Sequence, residues 1–378
     1  MAGMKLYYEA TGTWSAISDF NAGDPMGAGS GASFNMSGFA LTDVVYENLD
    51  ASHHILSMGV GHKALLLDDT ITGAQDAQGR IVGIDVINGN SGGQIIDLTS
   101  RTITYGNVTI NGGKDADVLM SNAGNDSIKG GGGNDYIWGG SGNDSMTGGI
   151  GNDKVLGGGG NDQLSGGEGN DRLTTGDGDD LASGGKGDDT ILVGLGNQTL
   201  AGNSGFDVLD LFKFVGVATI DVGKHLATVE ANGETYHSRF SGFEKIYGTE
   251  QGTSFIGSAS HGMLLLGGAG NDHFHSNGAG DVYTGKAGAD VYEWNKKSEA
   301  ASSKADLVKD FAVGTDKLDL HDFLKGQSGL KLPAYDQVVH VVNSADGVVV
   351  QALVGGVFHD VVDLVGVHTH VLADLLLV

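Results

Sequence analysis

The chain has 378 residues, of which 67 are Gly, two are Pro and none is Cys. The lack of Cys excludes disulfides, thiolate catalysis and Cys-ligated zinc, and the scarcity of Pro excludes a collagen-like or Pro-rich chain. With 47 acidic and 21 basic residues, the net charge of −26 argues against a nucleic-acid partner and requires either disorder or bound cations.

Residues 1–111 form a first region that is predicted to be rich in β-strands. Segments such as ALLLDDTITG and RIVGIDVINGN predict strands that lead into the next region and cap its open edge. The segment GNSGGQIID, at 89–97, resembles a degenerate copy of the repeat that follows. The start, MAGMKLYYEATGTW, lacks the apolar core of a signal peptide, so no N-terminal signal peptide is predicted.

Residues 112–210 consist of eleven consecutive nine-residue units, such as GGGGNDYIW and GGEGNDRLT. Position six is Asp in ten units, and Gln198 is the exception. Position eight is apolar in every unit. A flexible Gly/Asp-rich linker is the alternative interpretation, but a linker has no reason to keep a nine-residue phase with an apolar eighth position.

Three further regions follow the long array. Residues 211–266 are predicted to be a connector of strands, and residues 267–293 repeat the pattern in GGAGNDHFH, SNGAGDVYT and GKAGADVYE. Residues 294–378 form a C-terminal β region with few Gly-Asp turns. No apolar run approaches the roughly 18 residues of a membrane-spanning helix, so no membrane span is predicted.

Each nine-residue unit combines a turn with a short strand. The Gly-rich half permits a tight turn with positive φ angles, and the second half predicts three strand residues with one buried side chain. Two units then make one coil, with the position-eight side chains between two parallel sheets. The predicted fold class is therefore all-β: a right-handed parallel β-roll with a β-rich N-terminal cap region and a β-rich C-terminal region.

Stacked coils place the Asp side chains of units n and n+2 at the same gap, together with Gly carbonyl oxygens. Anionic and carbonyl oxygens are the ligands that Ca²⁺ prefers, whereas turns without Cys or His disfavour Zn²⁺ and Cu²⁺. We therefore predict about 8–9 calcium ions, with Gln198 ending one row. The predicted ligands are Asp117, Asp126, Asp135, Asp144, Asp153, Asp162, Asp171, Asp180, Asp189 and Asp207 in the long array, and Asp272 and Asp290 in the short one.

The units match G-G-x-G-x-D-x-U-x, with U apolar, and the array therefore resembles the calcium-binding repeats of RTX (repeats-in-toxin) proteins. The segments FEKIYGTEQGTSFIGSASHGMLLLGGAGNDHFH and ADLVKDFAVGTDKLDLHDF resemble the C-terminal part of type I-secreted RTX proteins, including serralysin-type ones, although Thr253 replaces their usual Asp. The ending VVDLVGVHTHVLADLLLV resembles their uncleaved export signals, with an ordinary terminal β-hairpin as the alternative.

This resemblance implies a secreted bacterial protein, outside the cell or on its surface, that leaves through the type I secretion machinery and folds in extracellular calcium. A non-enzymatic surface or matrix component such as an adhesin is favoured, with cell-surface polysaccharide or matrix as a further partner. The alternative is the secretion and folding module of an extracellular polysaccharide-modifying enzyme or hydrolase. A membrane-active toxin is disfavoured, and the zinc motif H-E-x-x-H does not occur.

Three other motifs could be interpreted as sites, although a degenerate turn, a solvated loop and surface histidines explain them more simply. The sequence GNSGGQ around Ser91 resembles the G-D-S-G-G of trypsin-like proteases. A metal or acid–base cluster could be drawn from His53, His54 and His62 with Asp50, Asp68 and Asp69. Two imidazoles on one strand face, which could bind a transition metal, are predicted for His273-x-His275 and for His368-x-His370.

Overall fold

The structure is a computed structural model. It describes strands between residues 4 and 67, by their backbone, and residues 86–89, 93, 95–98, 106–211, 214–278, 280–295, 304–324, 338–354, 356–368 and 375. The chain divides into two compact units, Met1–Asp207 (unit 1) and Val208–Val378 (unit 2). Among the described residues, no helix has both the length and the apolar character needed to cross a membrane.

Unit 1 consists of short strands. They are β1 (Met4–Tyr8), β2 (Thr13–Ile17), β3 (Val44–Asp50), β4 (His53–Met58), β5 (His62–Leu67), β6 (Val86–Asn88), β7 (Ile95–Asp97), β8 (Thr109–Gly113), β9 (Val118–Met120), β10 (Ser127–Gly132), β11 (Tyr136–Ser141), β12 (Ser145–Ile150), β13 (Lys154–Gly159), β14 (Gln163–Glu168), β15 (Arg172–Asp177), β16 (Leu181–Lys186), β17 (Thr190–Leu192) and β18 (Thr199–Ser204).

The strands of unit 1 form two parallel ladders. Strands β5, β7, β9, β11, β13, β15 and β17 pair in that order in one sheet. Strands β4, β6, β8, β10, β12, β14, β16 and β18 pair in the other. Antiparallel pairs join β1 to β2 and β5, and β3 to β4. Parallel pairing thus extends upstream of residue 112, while the five regional boundaries stay predictions.

The register of both ladders follows the repeat. Tyr136 pairs with Lys154, and Lys154 pairs with Arg172, so each step across this sheet advances the chain by 18 residues. In the other sheet Ile128 pairs with Met146 at the same spacing. Two nine-residue units therefore make one coil, and the predicted all-β parallel β-roll is confirmed.

The core of unit 1 is built from the position-eight side chains. In the ten units that end before residue 208, these side chains are at most 3% exposed. Burying one large aliphatic side chain contributes about 1.5–3 kcal/mol. Because each three-residue strand segment buries only one such side chain, the turns must supply much of the remaining stability.

The turns need glycine where the chain has positive φ and where coils approach closely. Gly131 has a φ of 112° and Gly133 a φ of 105°, a region that L side chains rarely adopt. A Cβ atom on Gly131 would also overlap the carbonyl oxygen of Gly113 in the preceding coil. Glycine at these positions therefore permits both the turn and the stacking.

Unit 2 continues the alternation of short strands. They are β19 (Val208–Asp210), β20 (Gly216–Asp221), β21 (Leu226–Ala231), β22 (Glu234–Ser241), β23 (Lys245–Tyr247), β24 (Thr253–Ile256), β25 (Leu264–Leu266), β26 (His273–Ser276), β27 (Val282–Thr284), β28 (Val291–Trp294), β29 (Asp306–Val308), β30 (Lys317–Asp319), β31 (Val339–Asn343), β32 (Gly347–Val354) and β33 (Val357–Val365), with the helix α1 (His321–Leu324) after β30.

Two parallel ladders also organise unit 2. Strands β19, β23, β25, β27, β29 and β33 form one, and β20, β24, β26, β28 and β30 form the other. Strands β20, β21 and β22 make an antiparallel meander, as do β31, β32 and β33. Of the ending at 361–378, residues 361–365 belong to β33, whereas residues 369–374 and 376–378 lie outside the described residues. The export signal and the terminal hairpin both stay predictions.

Aromatic side chains fill the core of unit 2. Phe255, Phe274 and Tyr292 come from β24, β26 and β28, and adjacent ring centroids are 5.0 Å apart with the planes within 7° of parallel. All three side chains are fully buried. Stacked rings of this kind stabilise the register of neighbouring strands beyond the burial of area alone.

Candidate metal centre

The position-six Asp side chains form two ladders in unit 1. In each ladder, Oδ1 of one Asp accepts a hydrogen bond from the backbone N–H of the Asp 18 residues earlier, at 2.7–2.8 Å. One ladder joins Asp117, Asp135, Asp153, Asp171, Asp189 and Asp207, and the other joins Asp126, Asp144, Asp162 and Asp180. All ten residues are at most 3% exposed. The structure therefore brings together the pairs that the sequence spaced 18 residues apart.

The second carboxylate oxygen, Oδ2, is the atom of these Asp side chains that is placed to bind an ion. It is buried and accepts no hydrogen bond in six residues drawn from both ladders: Asp135, Asp144, Asp153, Asp162, Asp171 and Asp189. Removing an ionised carboxylate from water is costly unless another group compensates its charge. A row of such oxygens therefore favours a positive charge beside it.

Carbonyl oxygens of the next turn lie close to these Oδ2 atoms. A Cβ atom added to Gly139 would overlap Oδ2 of Asp144 and would lie 2.8 Å from the carbonyl oxygen of Gly157. The same two kinds of oxygen surround the equivalent positions of Gly130, Gly157 and Gly166. Glycine at position one thus keeps open a space between a carboxylate oxygen of one turn and a carbonyl oxygen of the next.

Burial changes the acidity of the ladder carboxylates. It raises the pKa of Asp135, Asp144 and Asp189 from 3.8 to about 7, and neighbouring Asp charges add to the rise. Burial also raises the pKa of Asp162 and of Asp171 to about 6. The backbone N–H that each carboxylate accepts opposes the rise in pKa. A cation between the turns would stabilise the ionised form and so offset the cost of burial.

The donors between stacked turns are oxygen atoms. Within the described residues, no group of three or more His, Cys, Asp or Glu side chains could hold a metal ion, so a cation between the turns must also use main-chain carbonyls. Carboxylates combined with carbonyls are the set that Ca²⁺ takes, with about six to eight oxygens. The residues present therefore fit calcium, and a calcium ion would supply the positive charge that balances these buried carboxylates.

Comparison with known sequences assigns the repeat. The sequence model of the RTX calcium-binding nonapeptide repeat, in four copies, matches residues 104–128, 120–155, 156–191, 192–211 and 264–292. This chain carries an RTX β-roll. The resemblance drawn from the G-G-x-G-x-D-x-U-x units is confirmed, and so is calcium as the ion that the RTX repeats bind.

Comparison with solved structures gives matches to 32 chains, among them the extracellular lipase LipA from Serratia marcescens. The sequence identity is 16% and the TM-score is 0.19. The match covers 60% of this chain and 40% of the lipase, so the chain spans less than half the length of that protein. No curated protein matches the chain.

Gln198 reproduces the hydrogen bonding of an Asp without its charge. Its Oε1 accepts the N–H of Asp180 at 3.0 Å, and its Nε2 donates to the carbonyl oxygen of Gly178 at 2.7 Å. The amide therefore offers a turn carbonyl the positive end of a dipole, where an Asp would require a cation. That Gln198 ends one row of calcium sites in the RTX array stays a prediction.

The short RTX block shows the same ladder on a smaller scale. The N–H of Asp272 donates to Oδ1 of Asp290 at 2.9 Å, and Oδ2 of Asp272 accepts the N–H of Gly268, also at 2.9 Å. Thr253 donates its N–H to Oδ1 of Asp272 at 2.6 Å, while its own hydroxyl accepts the N–H of Thr249 at 2.8 Å. Thr253 thus occupies an Asp position with a neutral oxygen.

Three ladder carboxylates of unit 2, Asp281, Asp306 and Asp316, are absent from the sequence prediction. Oδ1 of Asp306 accepts the N–H of Asp281 at 2.7 Å, and Oδ1 of Asp316 accepts that of Asp290 at 3.1 Å. Position six of SNGAGDVYT was a signal for Asp281. The spacings of 25 and 26 residues to the other two fall outside the 18-residue period, so no periodic signal could find them. Oδ2 of Asp306 accepts the indole N–H of Trp294 at 2.7 Å.

A further set of hydrogen bonds between coils, at position five, was also missing from the sequence prediction. Oδ1 of Asn125 accepts the N–H of Asn143 at 2.9 Å, and Oδ1 of Asn143 accepts that of Asn161 at 2.8 Å. Asp179 and Asp188 act as acceptors at the same position of later units, each at 2.8 Å. These side chains are exposed, so they hold the coils in register without burying charge. The repeated Asn-Asp dipeptide is the sequence signal for this ladder.

The remaining candidates divide by whether the structure describes them. His273 and His275 lie on β26, and His368 is exposed. The side chains of His53, His54, His62 and Asp50 lie outside the described part of the structure, as do the residues Ser91, Asp68, Asp69 and His370.

Proposed function

We propose that this RTX protein is a calcium-switched chain that is open at low calcium and folds when calcium enters its turns. The ligands are the ten ladder Asp residues of unit 1 together with Asp272 and Asp290, completed by turn carbonyls, for about 8–9 ions. The supporting observation is the set of six buried Oδ2 atoms that accept no hydrogen bond, four of which lie close to a carbonyl oxygen of the next turn.

Charge explains why folding and binding belong to one step. The chain carries a net charge of −26, and eight divalent ions would reduce this to about −10. The two halves of each gap come from turns 18 residues apart, so the gap exists only after the coils have stacked. Binding free energy is therefore folding free energy, as in other proteins whose metal sites are absent from the unfolded chain.

Export gives this switch a biological use. Low cytosolic calcium would keep the chain unfolded for passage through the type I secretion machinery, and extracellular calcium would then fold it. Extracellular calcium-binding modules commonly have dissociation constants of about 10⁻⁴–10⁻³ M, which suits such a difference in concentration. The resemblance of the C-terminal region to type I-secreted RTX proteins supports this route, and we propose a location outside the cell or on the cell surface.

Circular dichroism of the full chain tests the switch. We expect little β signal in chelator and a cooperative rise with millimolar Ca²⁺, with no comparable rise in Mg²⁺ because Mg²⁺ demands a smaller, stricter octahedral site. Extensive β structure in chelator that calcium leaves unchanged would refute the proposal.

Outside the cell we propose a role as a surface or matrix component of the adhesin type, which binds polysaccharide or matrix without turnover. The alternative is the secretion and folding module of a polysaccharide-modifying enzyme or hydrolase. Incubating the calcium-loaded full chain with a polysaccharide panel separates the two. Calcium-dependent retention with unchanged polymer length supports the adhesin, and product formation supports the enzyme.

A further inference from the structure

Unit 2 contains a cavity of about 390 Å³, and none of the ladder Asp residues lines it. Its lining comes from three segments: residues 222–225 in the turn between β20 and β21, residues 240–244 at the end of β22 and before β23, and residues 258–263 between β24 and β25. Small-molecule sites in proteins have volumes of about 300–1,000 Å³. The cavity is therefore large enough to hold a small ligand.

Part of the lining is apolar and buried. Val222, Phe240, Phe243 and Met263 line the cavity, and all four are at most 6% exposed. The ring centroids of Phe240 and Phe243 lie 6.4 Å apart, with the planes at 66° in an edge-to-face arrangement. Because such packing holds aromatic rings in place, the cavity offers a ligand a fixed apolar surface.

The rest of the lining supplies polar groups that are already ordered by hydrogen bonds. The Ser260 hydroxyl lies 3.0 Å from the Ser258 hydroxyl and 2.8 Å from Nδ1 of His261. When Ser260 donates to Nδ1, the neutral imidazole carries its proton on Nε2 and can donate there. Glu244 adds a carboxylate, which accepts hydrogen bonds. A ligand in the cavity thus meets donors and acceptors beside apolar carbon.

His225 lies in a backbone conformation that glycine adopts more easily. Its φ is 55°. Its N–H donates to the carbonyl oxygen of Val222 at 3.2 Å, and its carbonyl oxygen accepts the N–H of Phe240 at 3.0 Å. The imidazole lines the cavity and packs edge-on against Phe240, with ring centroids 6.1 Å apart. A side chain at a φ that favours glycine costs free energy, and such positions cluster at binding sites.

We propose that this cavity binds a neutral saccharide. Sugar hydroxyls both donate and accept hydrogen bonds, as the hydroxyls of Ser258 and Ser260 do, and the C–H groups of a sugar ring match the apolar part of the lining. No Lys or Arg is among the described residues that line the cavity, and Glu244 would repel a second carboxylate, so an anionic sugar is disfavoured. This proposal rests on the polysaccharide-binding role proposed above and assigns that role to a place in unit 2.

Saturation-transfer NMR on the calcium-loaded full chain tests the cavity. The probes are glucose, galactose, mannose, N-acetylglucosamine, maltose, cellobiose and lactose, with glucuronate as the anionic counterpart. Isothermal titration calorimetry then gives the dissociation constant of each sugar that binds. We expect at least one neutral sugar to bind at a single site per chain, and glucuronate to bind at least about tenfold more weakly than that sugar.

His225→Gly separates binding from folding. Glycine adopts the same φ readily, so this variant should fold with calcium as the unaltered chain does, yet it should bind the sugar at least about tenfold more weakly because the imidazole is gone from the lining. Ser260→Ala should weaken binding similarly, since it removes a hydroxyl from the lining. Asn232→Gly is the matched control: Asn232 also has a φ of 55°, lies between β21 and β22 in the same meander, and does not line the cavity.

Three results would overturn the proposal. They are a panel from which no neutral sugar binds, glucuronate that binds as tightly as the best neutral sugar, and unchanged affinity in both His225→Gly and Ser260→Ala, because the sugar would then be held elsewhere. Circular dichroism and polysaccharide retention are recorded on the same samples. Protein that folds with calcium and retains polysaccharide but binds no sugar in the cavity would refute this inference alone. Sugar binding in the cavity without retention of any polysaccharide would instead refute the adhesin role.

Discussion

The substitution Asp144→Asn should stabilise the roll without calcium and destabilise it with calcium. Oδ1 of Asp144 accepts the N–H of Asp126 at 2.7 Å, and an Asn side chain retains that acceptor. The buried Oδ2, which accepts no hydrogen bond, becomes a neutral amide. The substitution therefore removes the charge while it preserves the shape of the ladder.

The gain in stability expected for Asp144→Asn without calcium follows from the raised pKa of Asp144. Burial, with the charges of Asp126 and Asp162, raises the pKa of Asp144 from 3.8 to about 7 in the folded chain. A shift of about three units corresponds to about 4 kcal/mol, since each unit is about 1.4 kcal/mol. Because the folded pKa is the higher one, this cost appears as the pH rises from about 4 and is complete above about 7. At pH 8 in chelator the variant should be more stable by up to this amount.

Osmolyte-driven folding measures this difference. In chelator at pH 8, trimethylamine N-oxide favours the compact state, and the β signal of Asp144→Asn should appear at a lower osmolyte concentration than in the unaltered chain. In calcium the order reverses, because the variant lacks an anionic ligand and should need at least about tenfold more calcium to fold. Asp177→Asn is the control: this Asp is exposed, in the same array, and its change should have little effect in either condition.

The reasoning fails if Asp144→Asn needs as much osmolyte as the unaltered chain, or more. Buried charge would then not be what keeps the calcium-free chain open. It also fails if the variant folds at an unchanged calcium concentration, since Oδ2 would then contribute nothing to the ion.

Three further predictions test neighbouring features. Native mass spectrometry should count one more calcium ion per chain in Gln198→Asp than in the unaltered chain. Asn197→Asp makes the same charge change at the exposed adjacent residue and should add no ion. Equal ion counts in the two variants would contradict the prediction that the row of calcium sites ends at Gln198. Gly157→Ala should raise the calcium midpoint for folding at least about tenfold, because its Cβ would overlap Oδ2 of Asp162 and the carbonyl oxygen of Thr175. Gly159→Ala, in the same turn with no atom within 4 Å of the added Cβ, is the control, and similar midpoints for the two would refute this. In chelator, lowering the pH from 8 towards about 4 should increase the β signal. Burial raises the pKa of Asp135 and of Asp162 above 3.8, so the folded chain binds more protons than the unfolded chain in this range. A β signal that is independent of pH would contradict this prediction.

The sequence was most informative where the structure is periodic. The nine-residue phase predicted the parallel roll, the 18-residue stacking and the burial of position eight, because each depends on local geometry repeated without change. The Asp281–Asp306 contact could not be predicted in this way, since the intervening chain breaks the period. The ladder at position five was not predicted either: the repeated Asn-Asp dipeptide was its signal, but the G-G-x-G-x-D pattern treats position five as variable, and only the stacked coils show that Asn125 accepts the N–H of Asn143.

By itself, the sequence determined that this chain is a calcium-binding β-roll, because turn chemistry and strand period are encoded within nine residues. Only the tertiary structure decided which carboxylate oxygens accept a hydrogen bond and which accept none. Oδ1 of every ladder Asp from Asp126 to Asp207 accepts a backbone N–H from the previous coil. Oδ2 of six of them accepts no hydrogen bond, and in four of those six a carbonyl oxygen of the next turn lies close by. It also decided that Glu293 contacts His273 and His275, since residues 18 and 20 positions apart become neighbours only when two strands pair. Hydrogen bonding between strands fixes such proximities, and that pairing depends on the whole stack.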